Sequence, residues 1–312
     1  MKMKKVFIDG SAGTTGLRIR ERLAGRNDIT LLTLPEELRK EKSARHRMLN
    51  ESDIAFLCLP DDAAREAVSM IENDRTVVLD TSTAHRTNPA WAYGFPELSE
   101  TQAEKIAASK RIAVPGCHAS GFIALVAPLV AAGMISPALR LTATSLTGYS
   151  GGGKKMIADY ESESRSSLLD GPRQYALAQK HKHLPEMQAM TGLENAPIFL
   201  PIVGDFYSGM EVTVPLFAAD LQGTAEDICA LYEKTYRGPL VTCVPNEADA
   251  EGGFLSAAAL SGLDTMHVTV SGNDERILLI ARYDNLGKGA SGAAIACMNL
   301  ALGLPMETGL SL

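Results

Sequence analysis

The sequence predicts an α/β chain in two parts, a doubly wound parallel sheet followed by an α+β region with a mixed sheet. Three observations predict it. Short apolar runs alternate with helical segments over residues 1–116, the pattern of a parallel sheet with helical crossovers. The first join between strand and helix carries three glycines at even spacing. Beyond residue 117 the apolar runs lengthen and alternate with period two, as in a mixed or antiparallel sheet.

The elements follow in order. KVFIDG (5–10) reads as a strand stopped by glycine, and TTGLRIRERLAG (14–25) as a helix with a glycine stop. DITLLTLP (28–35), SDIAFLCLP (52–60) and TVVLDTS (76–82) are further strands, and DDAAREAVSMIEN (61–73) is an amphipathic helix. In the second part, residues 139–155 run a strand into a glycine-rich turn. Residues 206–219 and 265–285 read as long strands, and 224–237 as an amphipathic helix. Residues 287–304 form a helix of small side chains that permit close packing, returning the chain to the first part. There is no internal repeat, low-complexity tract or long linker.

Composition excludes several classes. The 312 residues are 46% hydrophobic and 21% charged, which suits a well-cored globular chain of two ordinary domains. The net charge of -7 leaves no basic footprint for nucleic acid. The opening MKMKKVFIDG has too short an apolar run for a signal-peptide core, and the longest apolar stretch (122–135) contains Pro128 and Gly133 and falls short of a membrane span. Cys58, Cys117, Cys229, Cys243 and Cys297 are scattered, forming neither a disulfide framework nor a zinc-spaced set. The expectation is a cytoplasmic protein with reduced thiols, no membrane and no nucleic-acid partner.

Chemistry concentrates in a few stretches. GSAGTTG (10–16) spaces Gly10, Gly13 and Gly16 as GxxGxxG between strand and helix. This variant of the dinucleotide fingerprint places a pyrophosphate on the helix N–H groups, and makes the first part Rossmann-like. The second strand ends at Thr33, where an acid would hold an NAD ribose. Arg39, Lys40, Lys42 and Arg45 follow, with Glu36 and Glu37 among them, a pattern that favours a 2′-phosphate and hence NADP. DTSTAHR (80–86) ends the fourth strand, so Ser82 and Arg86 face the ligand crevice. VPGCHASGF (114–122) sets Cys117 between a Pro-Gly turn and a helix, where the macrodipole favours thiolate; a buried, inert thiol is the alternative. GYSGGGKK (148–155) fits a phosphate-binding P-loop until Lys155 replaces the required Ser or Thr, which argues against a kinase or ATPase but leaves a loop able to cradle phosphate. KHKHLPE (180–186) reads as extended, so His181 and His183 would face one site with Glu186 nearby. Acid/base work, a metal and plain structural histidines all stay open, although HxHxxE is not a supported zinc spacing.

Taken together, GSAGTTG, DTSTAHR, VPGCHASGF, LTGYSGGGKKMI, QKHKHLPE and DNLGKGASGAA (284–294) resemble the N-acetyl-γ-glutamyl-phosphate reductases of arginine biosynthesis, in their shorter form. They span nearly the whole chain. The broader relatives are the aspartate-semialdehyde dehydrogenases, which place a lone histidine late in the chain, unlike the HxH here. The resemblance implies NADPH-dependent reduction of an acyl phosphate to a semialdehyde through a thioester on Cys117. It implies His183 as acid/base, oriented by Glu186, with His181, Arg86, Tyr149 and Ser150 at the substrate and no metal. The cofactor would lie along Gly10, Ser11, Gly13, Thr14, Gly16, Thr33, Pro60, Ser82, Asn285 and Gly287. It further implies an NADP-binding domain of residues 1–116 completed by 289–312, a catalytic and dimerisation domain of 117–288, and a homo-oligomer, dimer or tetramer. Two other classes would use part of this set: a non-catalytic NADP-binding regulator needs neither Cys117 nor the histidines, and a cysteine hydrolase leaves GSAGTTG unexplained.

Overall fold

The computed structural model describes residues 3–245 and 252–312. The chain divides into two compact units. The first comprises Met1–Pro96, Glu100–Gly116 and Ala290–Leu310; the second comprises Glu97–Ser99, Cys117–Gly289 and Ser311–Leu312.

The first unit is built on six parallel strands: β1 (Lys4–Asp9), β2 (Ile29–Leu32), β3 (Ile54–Leu57), β4 (Val77–Asp80), β5 (Ala92–Tyr93) and β6 (Arg111–Ala113). Their order is β2-β1-β3-β4-β6-β5. Period-two alternation sends Val6, Ile8, Ile54 and Phe56 to one face, against Ile19 and Leu23 of α1 (Thr14–Leu23) and Ile295 and Met298 of the late α9 (Gly292–Ala301). Phe7, Ala55 and Leu57 go to the other, against Leu49 of α2 (Lys42–Glu51) and Ala64 and Ala67 of α3 (Asp61–Ser69). Both faces are thus covered, as a parallel sheet requires. The order reverses between β1 and β3, so their carboxyl ends open the crevice in which such sheets bind ligands. Also in this unit, α4 (Glu100–Ala108) buries only Ile106 of its own length.

Three expectations are corrected. Residues 42–51, to which the sequence reading assigns no helix or strand, form α2, because Ala44 and Leu49 give it a buried face. Residues 265–285 are a hairpin, β12 (Met266–Gly272) and β13 (Arg276–Tyr283), closed at Gly272, whose φ of +122° suits glycine alone. The late helix begins as a π-turn over Gly287–Ser291 before the α-helical α9.

The second unit holds a seven-stranded mixed sheet. Besides β12 and β13 it contains β7 (Thr142–Gly148), β8 (Arg173–Gln174), β9 (Ile198–Gly204), β10 (Met210–Phe217) and β11 (Val241–Cys243), in the order β11-β12-β13-β10-β7-β9-β8. Its helices include α5 (Cys117–Ala131), α6 (Gly153–Glu161), α7 (Leu184–Thr191) and α8 (Ala225–Thr235). The α5 helix packs on β10 and β13, which turn Val212, Val214, Leu279 and Ala281 inward and leave Phe217 and Leu278 exposed. Pro128 deprives α5 of one internal hydrogen bond, that to Ala124. The Tyr236 hydroxyl fills the gap, donating to the Ala124 carbonyl at 2.6 Å. Among the described residues no helix is long and apolar enough to cross a membrane.

Candidate active site

In the first unit, the turn after β1 is shaped by close approach. Gly10 has φ +86°, and a Cβ there would lie 2.2 Å from the Cys58 carbonyl oxygen. A Cβ on Gly16 would lie 2.5 Å from the Gly10 carbonyl oxygen. Gly13 caps α1 without any side-chain hydrogen bond, so the helix opens with its N–H groups uncapped by a side chain. The Thr14 hydroxyl is buried in the same turn without a hydrogen-bond partner among the described residues. An exposed glycine cap, free helix-start donors and an orphaned hydroxyl fit a pyrophosphate.

Beside this turn lies a cavity of about 1040 Å³, lined by Gly10, Ser11, Thr33, Arg20, Arg39 and Lys40 among others. The basic residues in and beside it sort by geometry. Arg45 is buried and committed, with Nε donating to Asp9 at 3.0 Å and Nη1 to Glu66 at 3.2 Å. Burial raises the Asp9 pKa against the pull of Arg45. Lys42 pairs with Glu66 and Arg39 with Glu36, whereas Arg20 and Lys40 make no ion pair among the described residues.

The end of β4 is a polar knot. Asp80 accepts from the Ser82 hydroxyl at 2.7 Å and the Ser82 N–H at 2.9 Å, and holds His85 Nδ1 at 2.6 Å. His85 in turn stacks on Trp91 at 4.0 Å. Pro60 caps α3, whose first residue, Asp61, accepts from the Thr83 N–H at 3.0 Å. Arg86 is buried, its Nε donating to the Val114 carbonyl and Nη2 to that of Thr81. It braces two strand ends, and the resemblance's reading of Arg86 as a substrate residue stays an expectation.

In the second unit, Cys117 opens α5. Its carbonyl accepts from the Tyr283 hydroxyl at 2.6 Å, and the same hydroxyl accepts from the Gly121 N–H at 3.0 Å. A tyrosine oxygen thereby bridges the first turn of the helix. Only glycine fits at 121, since a Cβ would lie 2.7 Å from that oxygen. Gly289 leaves room for the cysteine, as its Cβ would lie 3.0 Å from Cys117 Cβ.

The residue after Cys117 gathers the histidines. His118 has Nδ1 2.7 Å from Ser145 Oγ and Nε2 2.7 Å from the Tyr175 hydroxyl. Its ring centroid lies 5.5 Å from that of His181 and 5.7 Å from that of His183, and those two are 4.7 Å apart. Burial, with His181 and Lys182 adding to it, pushes the His118 pKa down to about 3, so this ring is neutral at working pH. The HxH segment is not extended. His183 is helical in backbone (φ -87°, ψ -10°), its N–H donates to His181 Nδ1 at 3.2 Å, and Pro185 sits in the first turn of α7, where no N–H is needed. His183 and Glu186 are both buried, three residues apart across that first turn.

The glycine-rich turn also lies in this unit. Ser150 is buried, and its hydroxyl accepts from Asn285 Nδ2 at 3.0 Å, while Asn285 Oδ1 accepts from the Gly209 N–H. Tyr149 stacks on Tyr160 with centroids 4.6 Å apart. Gly287 is explained by packing, because a Cβ would meet the Leu263 carbonyl oxygen at 2.1 Å. Sequence reasoning missed His118, Tyr175 and Tyr283. A histidine beside a candidate nucleophile was a readable signal, but nothing local marked the tyrosines, whose partners lie 57 and 166 residues away.

Residues 11–106 match the family described as semialdehyde dehydrogenase, NAD binding domain, and residues 117–285 that described as semialdehyde dehydrogenase, dimerisation domain. The fold is shared with aspartate semialdehyde dehydrogenase II of Vibrio cholerae at a TM-score of 0.71, 16% identity, and coverage of 97% of this chain and 99% of that one. It is shared also with the NADP-bound aspartate semialdehyde dehydrogenase of Candida albicans at 0.62, 14% identity, and coverage of 96% and 98%. The class is therefore that of NAD(P)-dependent semialdehyde dehydrogenases. Within it, the chain is 44% identical to N-acetyl-gamma-glutamyl-phosphate reductase 2 of Nostoc sp., over 99% of this chain and 100% of that protein. It is 48% identical to the N-acetyl-gamma-glutamyl-phosphate reductase of Rhizobium etli, over 96% and 98%. The chain belongs to the N-acetyl-γ-glutamyl-phosphate reductase family.

Proposed function

We propose that this enzyme reduces N-acetyl-γ-glutamyl phosphate to N-acetylglutamate γ-semialdehyde with NADPH, in the cytoplasm, through a thioester on Cys117. The observation that carries the reading is the helix-start cysteine, followed directly by His118, whose ring packs on the His181–His183 pair. Cys117 attacks the acyl carbon, the carbon–sulfur bond forms, and phosphate leaves with the electrons of the carbon–oxygen bond. His183 takes the thiol proton in that step and restores it when the thiol is expelled. Glu186 orients the imidazole, His181 meets the substrate, and N–H groups of the first turn of α5 hold the developing oxyanion. Ser150, fixed by Asn285, and Tyr149 bound the anionic end of the substrate. Gly10, Ser11, Gly13, Thr14 and Gly16 would hold the dinucleotide, with Thr33, Pro60 and Ser82 at the neighbouring strand ends. In its reduced form, the cofactor held there would supply the hydride needed to bring the acyl group to the aldehyde level.

Preference for NADP rests on the cavity beside Thr33, where Arg20 and Lys40 have no acidic partner among the described residues and Arg39 is only loosely paired at 3.8 Å. Association as a homo-oligomer rests on the dimerisation-domain match and on the outer face of the mixed sheet, which exposes Ile198, Phe217 and Leu278. The test is the reverse reaction. NADP+ reduction by the semialdehyde should require inorganic phosphate; reduction that proceeds equally without phosphate contradicts the proposal.

A further inference from the structure

The segment that carries the two histidines leaves the sheet by an unusual route. At the sheet edge, β8 pairs antiparallel with β9, Arg173 opposite Val203 and Gln174 opposite Ile202. The Tyr175 N–H continues the ladder, donating to the Pro201 carbonyl at 3.0 Å. The next backbone partner would be Phe199, opposite residue 177. The chain has already turned away at Ala176, which has φ +53°.

The side chain of Gln179 takes the vacated place. Its Nε2 donates to the Phe199 carbonyl at 2.8 Å, and its Oε1 accepts from the Phe199 N–H at 2.9 Å. A primary amide presents donor and acceptor side by side, as one residue of a neighbouring strand would. Gln179 itself has φ +53°, and among the described residues only it and Ala176 show a positive φ outside glycine. Backbone of this kind persists where surrounding contacts over-determine it, and it clusters at functional sites. Phe199 is also the floor of the histidine cluster, its ring 5.1 Å from His181 and 5.3 Å from His118. One amide thus ties the backbone of the floor to the start of the turn that presents His181 and His183.

We propose that Gln179 is a positioning residue for the acid/base histidines, its amide completing the edge of β9 so that the 179–183 turn is held in its reactive register. The inference rests on the acid/base reading of His183 given above. It predicts that loosening this amide harms the chemical step and leaves substrate capture and the fold intact, since Gln179 is exposed.

The experiment compares Gln179→Gly, Gln179→Ala and His183→Asn with the native enzyme. It measures kcat and KM for the acyl phosphate, the melting temperature, and dinucleotide affinity by fluorescence. Glycine keeps the positive φ without strain and removes only the amide, whereas alanine removes the amide and keeps the strain. Both should lower kcat by about 10- to 100-fold, the scale of a small misplacement of a reacting group. KM, melting temperature and dinucleotide affinity should stay near native. Native kcat in Gln179→Gly overturns the proposal, as does a kcat loss matched by a lower melting temperature. If Gln179→Gly behaves natively while His183→Asn collapses, positioning fails and the acid/base reading stands. If His183→Asn itself keeps native turnover, that reading fails and the proposal falls with it.

Discussion

Acidification should unload stability through His118 in a window set by its burial. In the folded chain this ring lies between Ser145 and Tyr175, and burial holds its pKa down to about 3. In the unfolded chain an imidazole titrates near 6.5. Between those values the unfolded chain binds a proton that the folded chain refuses. The stabilisation is therefore fully present above about pH 6.5 and is lost progressively as pH falls below it. Each unit is worth about 1.4 kcal/mol, so moving from about pH 6.5 to about pH 5 should remove about 2 kcal/mol through this one group. The assay is urea unfolding, followed by circular dichroism across that window, on the native protein and on His118→Asn. The native protein should lose about 2 kcal/mol more than the variant, and the His118 ring resonance should not titrate above about pH 5. A ring that titrates near 6.5, or equal acid slopes for the two proteins, refutes the reasoning.

Iodoacetamide should label Cys117 before Cys58, whose thiol burial pushes up to about 12, and before the buried Cys297; peptide mass spectrometry showing either labelled first contradicts this. Thr33→Asp should weaken NADPH binding about tenfold more than NADH binding in a fluorescence titration, because a carboxylate would face the 2′-phosphate; equal weakening would remove Thr33 from that subsite. Tyr283→Phe should lower stability by about 1–3 kcal/mol, since a fully buried hydroxyl that bridges Gly121 and Cys117 is lost; a denaturation midpoint unchanged from native contradicts the bridge.

The first unit was legible because its signals are local. Apolar runs such as SDIAFLCLP and the Gly10–Gly16 spacing express a two-sided parallel sheet and a tight turn, and the sheet has both faces covered. Cys117 at a helix start was legible for the same reason, since Pro115 and Gly116 punctuate the chain. Segment 39–45 hides a buried face under its charges: Arg45 is spent on Asp9, which no local pattern shows. His183 misled because a proline two residues on reads as an extended signal, whereas in the first turn of a helix it satisfies the backbone. The bracing role of Arg86, the bridge from Tyr283 and the amide of Gln179 depend on contacts made only once the sheets assemble. No local pattern announces them.

The central claim is a covalent acyl group on Cys117, and it can be caught. The enzyme is mixed with N-acetyl-γ-glutamyl phosphate without dinucleotide, quenched in acid, digested and read by mass spectrometry. The peptide bearing Cys117 should carry one N-acetylglutamyl group that hydroxylamine removes, and Cys117→Ser should carry none while still binding NADPH. An acyl group on another residue, or a Cys117→Ser enzyme with native turnover, would contradict the account.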